Sequence, residues 1–205
     1  MVQHGTARPW RTGLGGRSAS GLLFAVAMAL ALVLPAQAEA ASDRAAGFVQ
    51  RISKELIAAA HAGSIPAMTR AIRSYADVPS IGSYSLGDYA KRLRSSYRNV
   101  YHAGMTRFMA RYLMNQFRTY QVVRAQVTGP SYRNSDGIMV DSLVTLRSGA
   151  THRVRWRLVQ RGRSFKVRDA KVLFFWILPY QRDLFVNYIQ DQGGNVNALV
   201  AALGG

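Results

Sequence analysis

Residues 153–159 read Arg153-Val154-Arg155-Trp156-Arg157-Leu158-Val159, and this stretch decides the fold class. Val154, Trp156 and Leu158 alternate with three arginines, the period of two of an extended strand with one apolar and one wetted face. Downstream, Arg161-Gly162 turns the chain into a second extended run, Phe165 to Trp176. Upstream, Ser148-Gly149 is a turn preceded by the run Ile138 to Leu146, itself announced by Asn134-Ser135-Asp136-Gly137. Before that, Val123, Ala125 and Val127 alternate with Arg124 and Gln126 until Gly129-Pro130. Consecutive strands joined by tight turns form an antiparallel meander, here of four strands, whose apolar face has to be covered.

The cover is expected from the preceding half, where the period is helical. Phe48, Ile52 and Leu56 recur every four residues, Gly63 ends that segment, and Pro66 opens the next, whose face carries Met68, Ile72 and Tyr75. Asp77, two residues before Pro79, is placed to cap a short helix carrying Ile81. The longest helical pattern runs from about Ser95 to Phe117, with Met105, Phe108, Tyr112 and Leu113 on one stripe. After the strands, Asp183 to Gln190 reads as helix, stopped by Gly193-Gly194, and Val196 to Leu203 as a last short one. The expected class is α+β: a helical N-terminal half packed on a four-stranded antiparallel sheet, with C-terminal helices.

The first forty residues read differently. Arg8, Arg11 and Arg17 stand there without an acid, followed by an apolar run from Leu22 to Leu34, Pro35 and Ala36-Gln37-Ala38. This is the order of a secretory signal peptide. As helix the apolar run rises about 20 Å, against roughly 30 Å of hydrocarbon core, too short for a membrane anchor. The expectation is a signal peptide over 1–38, cleaved near Ala38 (or after Ala40 or Ala41), and one domain over 39–205, soluble and periplasmic. The 205 residues hold 27 Lys+Arg against 10 Asp+Glu, a formal charge of +17, and no cysteine. Without cysteine there is no disulfide, thiolate zinc site, Cys nucleophile or thioether-linked lipid anchor. The charge by itself points to nucleic acid, an anionic membrane surface or an acidic partner. Export turns it away from nucleic acid.

Motifs for catalysis are sparse. His61, His102 and His152 are each isolated from a second ligand at metal spacing. Ser83-Tyr84-Ser85-Leu86-Gly87 lacks the first glycine and the preceding strand of a nucleophile elbow. The acids are scattered, with no close pair for general acid–base work. The expectation is a non-enzymatic protein without cofactor or bound metal.

Two features remain. Val172-Leu173-Phe174-Phe175-Trp176-Ile177-Leu178 is apolar at every position, as in a strand buried on both sides, an edge covered by the C-terminal helix, or a strand with one face on an apolar cavity. Arg153, Arg155, Arg157, Arg161 and Arg163 make a dense basic face, either solvated or available to lipid phosphates or an acidic docking partner.

Several short motifs, in order, resemble those of the MlaC (toluene-tolerance, auxiliary transport component) family. Asp77-Val78-Pro79-Ser80-Ile81 followed by Ser85-Leu86-Gly87-Asp88-Tyr89 is similar to its "DVPxIxxFxLGxY" stretch. Phe165-Lys166-Val167-Arg168-Asp169 resembles its "W/Y-K-V-x-D" strand, Arg182 and Phe185 fit its "YRxxF" helix start, and Gly193-Gly194-Asn195-Val196-Asn197-Ala198-Leu199 resembles its "GGxxxAL" ending. The likeness spans 42–203. Tyr84 replaces the usual Phe, Asp88 stands where a basic residue is common, and Phe174-Phe175-Trp176 replaces a run of small residues, expected to fill space the family leaves open.

The resemblance implies a periplasmic carrier that holds phospholipid acyl chains inside the domain as cargo. Its implied partners are an inner-membrane ABC transporter complex and an outer-membrane lipoprotein complex, with transient membrane-surface contact. On that reading the lining is expected from the apolar, inward-facing positions Ile72, Tyr75, Ile81, Phe108, Tyr112, Val144, Trp156, Leu158, Val172, Phe174 and Trp176. The arginine face over 153–163 would meet headgroups or a partner. Alternatives are a carrier for another lipid such as a hopanoid, an envelope adaptor with a filled core that docks an acidic partner, and, distantly, a nucleic-acid binder of salt-steep affinity.

Overall fold

The computed structural model describes residues 34–204, with side chains from Arg44 onward; residues 1–33, which carry most of the expected signal peptide, lie outside the described residues. From Ala40 the chain folds as one compact unit. Helix α1 (Leu34–His61) buries Ala45, Phe48, Val49, Ile52, Leu56 and Ala59, a stripe at three- and four-residue spacing. Gly63, at φ 60°, ends the connection, and the Ser64 side chain accepts from Ala67 N to cap α2 (Ile65–Tyr75). Helix α3 (Val78–Leu86) follows directly, then two stretches of 3₁₀ helix, Gly87–Arg92 and Ser95–Tyr97, and the long helix α4 (Arg98–Tyr120).

The sheet follows: β1 (Val122–Val127), β2 (Tyr132–Asn134), β3 (Gly137–Leu146), β4 (Thr151–Arg161), β5 (Ser164–Val172) and β6 (Phe175–Trp176). It is antiparallel, in the order β1-β3-β4-β5-β6, with β2 paired to β3. Helices α5 (Ile177–Asp191) and α6 (Val196–Gly204) close the chain. The α+β class is as read from the sequence, but the sheet has six strands, not four. The long strands β1, β3, β4 and β5 carry the four expected runs. The additions are short: β2, whose hairpin is closed by Asp136 N donating to Asn134 Oδ1 at 2.9 Å, and β6.

Strand β6 exists because the expected run Phe165–Trp176 breaks. Leu173 takes φ 55°, reversing the chain so that Phe175 pairs back with Val172 and Trp176 with Lys171. Helix α5 also begins earlier than expected, at Ile177 rather than Asp183. Pro179 is tolerated there because the first turn of a helix needs no N–H donor. Asp169 Oδ1 accepts from Leu178 N at 2.9 Å and supplies the missing cap from outside.

Two cores result. The first joins the α1 stripe to Met68 and Ile72 of α2, Ala110 of α4, and Ile138, Val140, Leu158 and Phe165 of the sheet. The second joins Ile81 and Leu86 of α3, Tyr101 and Met105 of α4, Leu178, Phe185 and Ile189 of α5, and Leu199, Val200 and Leu203 of α6. Helix α4 serves both, the early half in one and the later half in the other. Ala76 and Met109 touch both clusters.

Candidate functional site

A cavity of about 300 Å³ lies between the cores, under the sheet. That is at the lower end of the range of small-ligand sites, ~300–1,000 Å³. Its floor is the inward face of the sheet. Ala125 pairs with Val144, Val144 with His152, Val154 with Val172 and Trp156 with Ala170, and all of these line it. Ile52 and Leu56 of α1, Ile72 and Tyr75 of α2, Phe108, Met109 and Tyr112 of α4, and Leu178, Tyr180 and Leu184 of α5 form the walls and roof.

Of the residues predicted to line such a space, Ile72, Tyr75, Ile81, Phe108, Tyr112, Val144, Trp156 and Val172 do so. Leu158, Phe174 and Trp176 do not. Leu158 is fully buried in the first core, one pair further along β4. Phe174 is 92% exposed at the tip of the β5–β6 turn, and Trp176 lies beneath the Arg157 guanidinium, 4.1 Å from its ring centroid. The bulky run 174–176 therefore does not fill the interior, contrary to expectation: the positive φ at Leu173 carries it to the rim and beyond. Sequence reasoning missed the α1 contribution of Ile52 and Leu56, because cavity-facing and core-facing residues of one apolar stripe have the same composition.

The mouth is aromatic. Tyr120, Leu173, Phe175, Tyr180 and Leu184 line the cavity and are also exposed, which places the opening between α4, α5 and the β5–β6 turn. Tyr112 and Tyr180 stand 6.4 Å apart between ring centroids, Phe175 and Tyr180 6.3 Å. Burial raises the Tyr112 phenol above its usual range, with Tyr180 and Tyr120 beside it adding to the effect.

Polar groups in the lining are few and mostly committed. The Tyr75 hydroxyl donates to Glu55 Oε1 at 2.6 Å, and this bond raises its phenol pKa. Gln181 donates through Nε2 to Ser85 Oγ, which in turn donates to the Ile81 carbonyl. Burial raises the Asp169 carboxyl, and the backbone N–H groups of Leu178 and Ala170 offset part of that. Arg168 is the extra residue of a bulge in β5, since Arg157 faces Asp169 while Leu158 faces Val167. Its Nη2 comes within 3.2 Å of Asp77, but its Nε, like Ser53 Oγ, has no hydrogen-bond partner among the described residues. The interior is thus suited to hydrocarbon, with a small number of polar atoms.

Much of the arginine face is occupied within the protein. Arg155 forks onto both oxygens of Asp141, at 2.8 and 3.0 Å, with Arg153 at 3.8 Å from the same carboxylate. Arg157 covers Trp176 and comes within 3.8 Å of Asp136. Arg161 donates to Asp77 Oδ2, and Arg163 is exposed, its carbonyl accepting from Arg44. Asp77 stands at the N-cap position of α3 but makes no side-chain cap bond; the two arginines hold its carboxylate instead.

The fold and the cavity define an α+β domain built around an apolar chamber with an aromatic mouth. Residues 47–204 match the profile of the MlaC protein family, and the chain belongs to that family. Among solved structures, a phospholipid-binding protein from Ralstonia solanacearum, in complex with a phospholipid, has the same fold. Its TM-score is 0.59 at 19% sequence identity, over 77% of this chain and 93% of that one. No curated protein matches the sequence.

Proposed function

We propose that this protein is a non-enzymatic carrier that holds the acyl chains of a phospholipid in the cavity between sheet and helices. The apolar cavity with its aromatic mouth is the observation that carries this reading. Membership of the MlaC family and the phospholipid held by the Ralstonia protein support it. At about 0.8 kcal/mol per CH₂, two chains of roughly 15 methylenes represent over 20 kcal/mol of hydrophobic penalty in water. Spontaneous desorption from a membrane is correspondingly slow, and a preformed apolar slot offsets the share of that penalty that belongs to the methylenes it encloses, without covalent chemistry. The carrier works in the periplasm after export, passing lipid between an inner-membrane ABC transporter complex and an outer-membrane lipoprotein complex.

The adaptor reading, with a filled core and a free arginine face, has less support. The interior holds a cavity, and Arg155, Arg157 and Arg161 are engaged inside the molecule. Organic extraction of purified protein followed by mass spectrometry tests the proposal. Phospholipid in near-molar ratio is the expected result; a hopanoid would redirect the cargo assignment, and no lipid even after incubation with vesicles would overturn it.

A further inference from the structure

The tip of the β5–β6 turn projects from the fold. Phe174 is 92% exposed, while Leu173 and Phe175 on either side, each 46% exposed, line the cavity mouth. Leu173 holds φ 55°, a conformation a branched side chain adopts only when its surroundings impose it, and such strain gathers at functional sites. The flank is basic: Lys171 stands opposite Trp176 in the β5–β6 pairing, and Arg153, 69% exposed, lies beside the end of β5, while Arg155 opposite Lys171 is held by Asp141. Trp176, Phe175 and Tyr180 give the turn the aromatic content typical of groups that settle at a membrane–water interface.

We propose that this turn is a membrane-docking wedge, with Phe174 inserting into the surface of an anionic phospholipid bilayer. Charge complementarity selects this occupant. Beyond the expected signal peptide the chain carries 24 basic against 10 acidic residues, and Lys171 and Arg153 beside the tip attract anionic headgroups while the ring enters the acyl boundary. One turn also buries far less than the roughly 1,200 Å² that a stable protein–protein interface needs. Inserted this way, the wedge sets the mouth at the level of the lipid. That use of the wedge rests on the carrier reading; docking itself stands on the tip and its flank.

Sedimentation with vesicles of phosphatidylglycerol and phosphatidylethanolamine tests docking, with co-purified lipid measured separately to report on the cavity. The exposed Phe174→Ser variant should fold normally and partition onto vesicles about tenfold or more weakly, the loss of one inserted phenyl ring, with co-purified lipid unchanged. In Phe174→Trp the added fluorescence should be quenched by brominated lipids, and pure phosphatidylcholine or high salt should weaken binding. Equal vesicle binding by wild type and Phe174→Ser, no vesicle binding by wild type, or a vesicle-bound Phe174→Trp quenched only from the aqueous side would each overturn the proposal. A wild type that docks but carries no co-purified lipid would count against the carrier reading instead.

Discussion

Arg161 Nη2 donates to Asp77 Oδ2 at 2.9 Å across a separation of 84 residues, tying the far end of β4 to the junction between α2 and α3. Arg168, pushed out of register by the bulge, shares the same oxygen at 3.2 Å. The backbone reinforces the join, since Asp77 N donates to the Val167 carbonyl at 2.8 Å. Helix and sheet are therefore fastened at the α2–α3 junction by an ion-paired cluster, in contrast to the aromatic mouth.

Asp77→Asn should loosen that join. The Asp77 side chain is 7% exposed, whereas Arg161 and Arg168 remain partly solvated. The cost is therefore set at about 2 kcal/mol, below that of breaking a fully buried pair. The urea midpoint should fall with an unchanged slope; an unchanged midpoint would show that the pair contributes nothing.

Asp169 predicts a pH effect of defined sign. Burial raises its folded-state pKa above the ordinary value of 3.8. The folded protein therefore binds this proton more tightly than the unfolded chain does. The associated stability is fully present below the unfolded pKa and is lost as pH rises through the folded pKa. Asp169→Asn keeps an oxygen for Leu178 N but cannot ionise. Thermal unfolding across the acid range should show wild type losing stability relative to Asp169→Asn as pH rises above about 4. A difference between the two that stays flat with pH would contradict this.

Gly104 fixes the crossing of α4 and α6. A Cβ there would stand 2.8 Å from the Leu203 carbonyl oxygen, a backbone atom unable to swing aside. Gly104→Val should cost on the order of 1–3 kcal/mol through overpacking. Hydrogen exchange should show the amides of α6 losing protection first; uniform protection would show that the helices accommodate the methyl groups.

These sites also mark how far the sequence could be read. The alternation of Val154, Trp156 and Leu158 with arginines and the spacing of Phe48, Ile52 and Leu56 are local signals, and both elements formed where they pointed. Gly193 and Gly194, at φ 66° and 81°, likewise stop α5, and Asn195 caps α6 by accepting from Asn197 N. The reversal at Leu173 had no such signal, because no glycine, proline or asparagine marks it and an apolar run carries no period. The Asp77 pairing was hidden for another reason: a carboxylate before a helix reads as a cap, and only the bulge at Arg168 and the approach of Arg161 reassign it. Cavity lining and core share one alphabet of residues, so Leu158 was indistinguishable from Trp156 until the sheet register placed it.

Native mass spectrometry after incubation with phosphatidylethanolamine and phosphatidylglycerol vesicles tests the central claim most directly, comparing wild type with Val144→Trp. Val144 lies on the cavity floor between Ala125 and His152, where an indole would occupy space needed by an acyl chain. Wild type should carry bound phospholipid and Val144→Trp several-fold less, with both unfolding at similar temperatures. Equal loading of the two proteins, or a wild type that carries none, would contradict the assignment of this cavity as the lipid site.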